Sequence, residues 1–367
     1  MTLVLVVDDS QFMRTVLRNT LQDYGYSVIE ASNGEKAIEL VEKHKPDVIT
    51  MDVQMPGMNG IEATKRIMNS DNPVPILILS AYTEEGAETT LEALRCGAVD
   101  FIRKPEGKES PISVVQFDEE FIDTLEAVSN ADIREIKHSA PNVSTPDSRE
   151  RKETQKEREK AETSVSGNTQ PPTIAIGAST GGPSVIENLL ADFPDDSIKP
   201  YIFITQHMPE GFTERYANRL NELSDYFVVE ADDGMVVEPG MAIVTPGGKD
   251  MRVTRDAAGR VIIQLEEPES PTDTSSIDVM FKSIAETMDP PLVGVLLTGM
   301  GDDGSDSLDK MKENGAHIIA QNGETSPVFG IPRRAIQTGN VDTVLADYEL
   351  VKGIVEGLNE SNPNGDI

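Results

Sequence analysis

Two groups of residues in this chain have the types and spacing to do chemistry. The first is built around Ser179, in Gly177-Ala178-Ser179-Thr180-Gly181-Gly182, directly after the apolar run Thr173-Ile174-Ala175-Ile176. A G-x-S-x-G spacing can expose a serine hydroxyl on a sharp strand-to-helix turn. The free N–H groups of the following helix would then face a developing oxyanion. The same spacing also fits a tight βα turn with no chemistry, or a turn that binds a phosphate. A serine needs a base at neutral pH. Of the four histidines, His44 falls in a helical stretch, His138 borders a polar segment and His317 sits inside the strand-like Ala316-His317-Ile318-Ile319. Only His207 follows a strand end in the same half of the chain as Ser179. A histidine base needs an acid to hold its tautomer, and Asp302 or Asp303, beyond the apolar run at 292–297, could supply it.

The second group is Asp8, Asp9, Asp52, Ser80 and Lys104, each at the end of an apolar run in the first third of the chain. Three carboxylates brought together raise one another's pKa unless a cation sits among them. Oxygen-only ligands suit Mg²⁺. A carboxylate opposed by a metal and a lysine can accept a phosphoryl group.

Both groups require strands whose carboxyl ends converge. Apolar runs at 3–8, 26–31, 47–51, 76–79 and 99–102 alternate with helical segments from Ser10 to about 23, at 33–44, 61–68 and 84–95. That alternation predicts a doubly wound, flavodoxin-like parallel sheet, with ligands beyond the strand ends. A longer loop is expected at 106–115 and a helix over 117–137. In the second half, strands are expected at 173–176, 200–205, 226–230, 292–297 and 316–320, and helices at 184–190, 210–223, 276–288, 305–314, 331–337 and 347–358. Short alternating segments at 241–245, 251–254 and 261–265 read as antiparallel hairpins beside a mostly parallel sheet.

Val7-Asp8-Asp9-Ser10, the run Met51-Asp52-Val53-Gln54-Met55-Pro56-Gly57-Met58-Asn59-Gly60 and Lys104-Pro105 make residues 1–137 resemble a response-regulator receiver domain. The resemblance implies phosphorylation at Asp52, with Mg²⁺ held by Asp9 and Asp52 and assisted by Asp8. It also implies Ser80 and Lys104 on the phosphoryl group, and Phe101 as a switching aromatic. Residues 172–367, through the Ser179 motif, Gln206-His207-Met208-Pro209 and Leu297-Thr298-Gly299-Met300-Gly301-Asp302-Asp303-Gly304, resemble the CheB-type chemotaxis methylesterases. That implies hydrolysis of glutamate γ-methyl esters on chemoreceptors, often with deamidation of receptor glutamines, and the histidine kinase CheA as phosphodonor. No cofactor is expected for the ester reaction. Carried over, Ser179 is the nucleophile, His207 the base and Asp303 the acid, although Asp302 stands where the family more often has Asn. Thr180 and the Met300 N–H would shape the oxyanion site. Gln321-Asn322 and Phe329-Gly330-Ile331-Pro332-Arg333 would form loop and substrate cleft.

Between these halves, residues 138–171 hold almost no large apolar side chain, and their acidic and basic residues balance. Such a segment cannot bury a core and reads as a flexible linker. The whole chain carries 64 acidic against 32 basic residues, a formal charge of −32. That charge repels nucleic acid and anionic membrane surfaces and argues against a DNA-binding regulator. It resembles the composition of proteins from salt-loving organisms. A phosphate-binding regulatory module is the other competing reading, and it leaves His207 and Gly301-Asp302-Asp303-Gly304 unexplained. The start lacks a signal-peptide pattern and no apolar run approaches a membrane span, so a cytoplasmic location is expected. The single cysteine, Cys96, excludes an intrachain disulfide and a cysteine-rich metal site, and reads as core or near-core filler.

Overall fold

A computed structural model describes residues 2–81, 84–104, 111–131, 133, 171–193, 199–268 and 276–362. The expected linker up to residue 170, and His138 with it, lies outside these residues.

The N-terminal sheet has five parallel strands in the order β2-β1-β3-β4-β5. They are β1 Leu3–Val7, β2 Ser27–Ala31, β3 Val48–Asp52, β4 Ile76–Ser80 and β5 Asp100–Arg103. The runs in β1, β3 and β4 are mostly apolar and almost wholly buried because these strands are covered on both faces. Helices α1 Gln11–Asp23, α2 Gly34–His44, α3 Gly60–Met68, α4 Glu84–Arg95 and α5 Pro111–Ser129 provide that cover. Ser10, Asn33 and Asn59 cap the first three helices through side-chain bonds to Met13, Lys36 and Glu62 N–H. Helix α5 begins and ends earlier than expected. Pro111 suits a first helical position, and Asn130 closes the helix by donating from Nδ2 to Glu126 O at 2.8 Å.

The C-terminal sheet has seven strands in the order β14-β13-β12-β6-β7-β9-β8, every pair parallel. Its strands are β6 Thr173–Ala178, β7 Tyr201–Gln206, β8 Phe227–Glu230, β9 Met241–Val244, β12 Leu292–Leu296, β13 His317–Gln321 and β14 Thr343–Leu345. An antiparallel hairpin, β10 Asp250–Arg255 with β11 Val261–Glu266, packs beside it. The helices are α6 Gly182–Asp192, α7 Thr213–Leu223, α8 Ile277–Thr287, α9 Leu308–Glu313, α10 Ile331–Thr338 and α11 Leu350–Glu360.

Strand β9 departs from the antiparallel expectation. The stretch 231–240 is no hairpin turn: Gly234 and Val237 N–H donate to Ile263 O and Val261 O of β11, and the chain then re-enters the sheet parallel to β8. Strand β14 went unforeseen because three residues carry no readable alternation. The helix expected over 305–314 is shorter, because Gly304 turns the chain at φ +89°. The one expected over 347–358 splits into a 3-10 turn, Asp347–Glu349, and α11.

Candidate active site

Strand order reverses at β6, which has β12 on one side and β7 on the other. Ligand sites of open α/β sheets form at such points. Ala178 pairs with Gln206, so Ser179 and His207 are the next residues on adjacent strands. His207 N–H donates to Ala178 O at 3.0 Å, and Gln206 Nε2 donates to Ser179 O at 2.9 Å. From β12, Thr298 O accepts Ser179 N–H at 3.0 Å. A Cβ on Gly299 would lie 2.7 Å from Ser179 Cβ, so only glycine lets the two loops close here. Gly181, at φ +78°, turns the chain into α6.

The structure brings Asp303, not Asp302, to His207: Asp303 Oδ2 lies 2.8 Å from His207 Nε2. Asp302 is exposed. Asp303 also accepts Ile277 N–H on Oδ2 at 2.7 Å, and on Oδ1 Asp278 N–H at 3.0 Å and Ser276 Oγ–H at 3.2 Å. Burial pushes the Asp303 carboxyl up, but the bond and charge of His207 with the two N–H donors outweigh it and hold it below the ordinary range. Among the described residues, no hydrogen bond joins Ser179 Oγ to His207.

Thr180 is buried, its carbonyl accepting Thr298 Oγ1–H at 2.9 Å. Met300 is 40% exposed on the loop beyond β12. Gln321 differs from its expected cleft role. It is fully buried, accepts Thr298 N–H at 2.8 Å and donates to Thr325 O at 2.8 Å, so it braces the β12 loop from behind. Asn322 closes the neighbouring turn onto Thr325 N–H. Phe329 and Arg333 line a cleft that Asp123 and Glu126 of α5 also border. His317 bonds Thr343 Oγ1 and Glu360, a structural position. Cys96 is half-buried, and burial pushes its thiol up.

At the N-terminal sheet's switch point, between β1 and β3, carboxylate oxygens of Asp8, Asp9 and Asp52 lie within 4.8 Å of one another. Asp8 and Asp52 are buried and Asp9 is at the surface. Lys104 Nζ lies 2.8 Å from both Asp8 Oδ2 and Asp52 Oδ2. Burial raises the Asp52 carboxyl beyond what Lys104 takes back, and Asp8 adds to the rise. Burial would lower the Lys104 ammonium, but Asp52 and Asp8 reverse that. An all-oxygen donor set with one ligand open to solvent fits a small hard cation such as Mg²⁺. Gly60 makes room for this pocket, since a Cβ there would lie 2.1 Å from Asp52 O. Ser80 Oγ is turned towards α4, sharing a 2.7 Å hydrogen bond with Thr90 Oγ1.

The two halves meet across the Ser179 site. Helix α4 packs against α6 and α7. Phe101 stacks on Phe212 with centroids 4.6 Å apart, and the Arg103 guanidinium lies 5.3 Å from the same ring. Asp100, at the start of β5, accepts a bond from the Thr180 side chain and feels the charge of His207. Its burial pushes the carboxyl up to about 6 against those two and its own bond from Phe101 N–H. A cavity of about 370 Å³ remains at the edge, between Asp123 and Glu126 of α5 and Met300, Phe329 and Arg333. Sequence reasoning missed Asp100, Phe212 and Ser276. Ser276 alone left a signal, as the first residue of an expected helix.

The CheB methylesterase family matches residues 174–354, and the response regulator receiver domain matches residues 4–116. A protein-glutamate methylesterase/protein-glutamine glutaminase of Natronomonas pharaonis is 43% identical over 356 residues, 96% of this chain and 97% of that protein. One of the same name from Halobacterium salinarum is 43% identical over 98% of this chain and 99% of its own. Both sources fit the salt-adapted composition. The crystal structure of the Thermotoga maritima CheB methylesterase catalytic domain covers 51% of this chain and 99% of its own, at 33% identity and a TM-score of 0.48. The chain belongs to the CheB methylesterase family, in the form that carries a response-regulator receiver domain ahead of the methylesterase domain.

Proposed function

We propose that this chain hydrolyses glutamate γ-methyl esters on chemoreceptor helices, releasing methanol, and deamidates receptor glutamines through the same acyl-enzyme. Residues 1–137 act as the receiver, 138–171 as the linker and 172–367 as the esterase. The reaction belongs to chemotactic adaptation in the cytoplasm. Ser179 Oγ attacks the ester carbonyl as His207 takes its proton on Nδ1, the ring nitrogen that Asp303 leaves free. Asp303 fixes the tautomer and stabilises the imidazolium. The Met300 N–H and the Thr180 hydroxyl face the oxyanion. The proton on His207 leaves with methanol, and water then repeats the sequence on the acyl-serine. The observation that carries this reading is the 2.8 Å His207–Asp303 bond beside Ser179 at the switch point of β6.

Phosphorylation at Asp52, with CheA as donor, controls the reaction. Bound Mg²⁺ would be held by Asp9 and Asp52 with Asp8 assisting, and would neutralise charge on the phosphoryl oxygens. Lys104 would pair with the phosphoryl group, and Ser80 would turn from Thr90 to reach it. Phe101 shares β5 with Asp100, so its movement would loosen the Phe212 stack and release Thr180. The Asp100–Thr180 bond and the Phe101–Phe212 stack support a resting state in which the receiver covers the site. The test is methanol release from a methylated receptor fragment, with and without a small phosphodonor. Low basal release that the donor raises, and that Asp52→Asn no longer raises, is expected. No release under either condition would remove the esterase reading.

A further inference from the structure

Asp250 is a buried acid that takes no part in the mechanism above. It is 4% exposed at the start of the antiparallel hairpin, and burial with the nearby Asp303 charge pushes its carboxyl up. Its Oδ1 accepts Ser276 N–H at 2.7 Å. Ser276 is the N-cap of α8, accepting Val279 N–H on its hydroxyl at 3.3 Å. The same hydroxyl has its one hydrogen left over, and it is aimed at Asp303 Oδ1 at 3.2 Å. The next two N–H groups, of Ile277 and Asp278, also end on Asp303. A carboxylate with His207 on Oδ2 and Ser276 on Oδ1 is held against rotation about its own axis.

We infer that Ser276 is a positioning residue for this esterase, fixing the Asp303 carboxylate in the plane that meets His207, and that Asp250 holds Ser276 in place for it. The hairpin β10–β11 thereby supports the reaction although none of its residues touches substrate. Packing repeats the arrangement. Ile277, next to Ser276, is fully buried in a niche where a Cβ on Gly177 or Gly304 would lie 2.4 or 2.7 Å from its Cγ2. The first turn of α8 is therefore seated directly on β6 and on the β12 loop, the two segments that carry Ser179 and Asp303.

The inference rests on the Ser179–His207–Asp303 reading. Its test uses phosphodonor-treated full-length protein, with steady-state methanol release and the labelling rate of Ser179 by a fluorophosphonate. Ser276→Ala should lower kcat and labelling roughly tenfold with KM unchanged, well inside the hundredfold that a 1 Å misplacement can cost. Ser276→Thr, which keeps both bonds, should stay within about twofold of the parent. Ser276→Gly separates the two duties, because glycine at an N-cap costs a helix little relative to serine but has no hydroxyl to donate to Asp303. It should melt near the parent temperature yet lose at least as much activity as Ser276→Ala. Asp250→Asn keeps an acceptor for Ser276 N–H and should be milder than either. Full activity in Ser276→Ala, or in Ser276→Gly, would overturn the positioning role and leave Ser276 a helix cap only. Failure of the parent itself to label would instead overturn the serine mechanism, and the inference with it.

Discussion

Each oxygen of Asp303 is committed: Oδ2 to His207 and Ile277 N–H, Oδ1 to Asp278 N–H and Ser276. A carboxylate so held stays ionised in a part-buried site, which is the state that orients an imidazole and stabilises its cation. Asp303→Asn should therefore cost roughly 10⁴ in kcat through the wrong tautomer. Ser179→Ala and His207→Ala should each lower methanol release by about four to six orders of magnitude, and the double variant should be no worse than either, because such groups act as a unit. A double variant that falls by the product of the single losses would mean that the two side chains act independently. Spacing alone left the choice between Asp302 and Asp303 open, and only the family resemblance pointed to Asp303. Both follow the same apolar strand, and the outcome depends on the backbone turns at Gly301 and Gly304, with φ of +87° and +89°.

Elements that end in chemistry were the easiest to read, because a strand buried on both faces shows as an unbroken apolar run and the polar residue after it stands out. Asp8, Asp52, Ser80, Ser179 and His207 were all found in that way. The pairing direction of β9 was not readable, since Met241–Val244 is apolar enough for either direction and the crossover through 231–240 depends on the distant hairpin. Ser276 was legible as a helix start, but its link to the site was hidden for a similar reason, its partners Asp250 and Asp303 being 26 and 27 residues away in opposite directions. The seating of α8 gives a test at this scale. In Gly177→Ala the new Cβ would lie 2.4 Å from Ile277 Cγ2 and 3.0 Å from Leu296 Cδ2. Ile277 is β-branched and cannot swing that atom away, so α8 must shift. The variant should lose about 1–3 kcal/mol of stability in urea unfolding and also lose kcat, because Ile277 N–H moves off Asp303. Adding Ile277→Leu, which is unbranched at Cβ and so has no Cγ2 to clash while keeping the side-chain volume, should recover part of both. Recovery of stability without recovery of kcat would disconnect the seating of α8 from the reaction.

At the scale of the whole molecule two features act together, the charge and the docked receiver. With 64 acidic and 32 basic residues, self-repulsion is screened only at high ionic strength, so the melting temperature should rise from dilute buffer to molar salt. A melting temperature that stays constant would refute that. The docking surface was illegible in the sequence, because the Phe101–Phe212 stack and the Asp100–Thr180 bond join residues from different domains with no local pattern. It nevertheless carries a signed pH dependence. Docked, the Asp100 carboxyl titrates at about 6; released, it returns towards the ordinary 3.8. The docked state therefore binds the extra proton, so docking is strongest below the released value, weakens as pH rises through 6 and levels off above it. Between pH 5 and 7 the docking equilibrium should weaken roughly tenfold. The readout is the ratio of basal to phosphodonor-stimulated methanol release. His207 also faces Asp100, and its charge already counts among the influences that lower that carboxyl. Asp100→Asn keeps an oxygen for the Thr180 hydroxyl and has no charge to bury. It should dock more tightly than the parent at pH 7, lower the basal ratio there and flatten its pH dependence. A parent ratio that falls with rising pH, or an Asp100→Asn variant more active at rest than the parent, would mean that the buried carboxylate does not set the strength of the docked state.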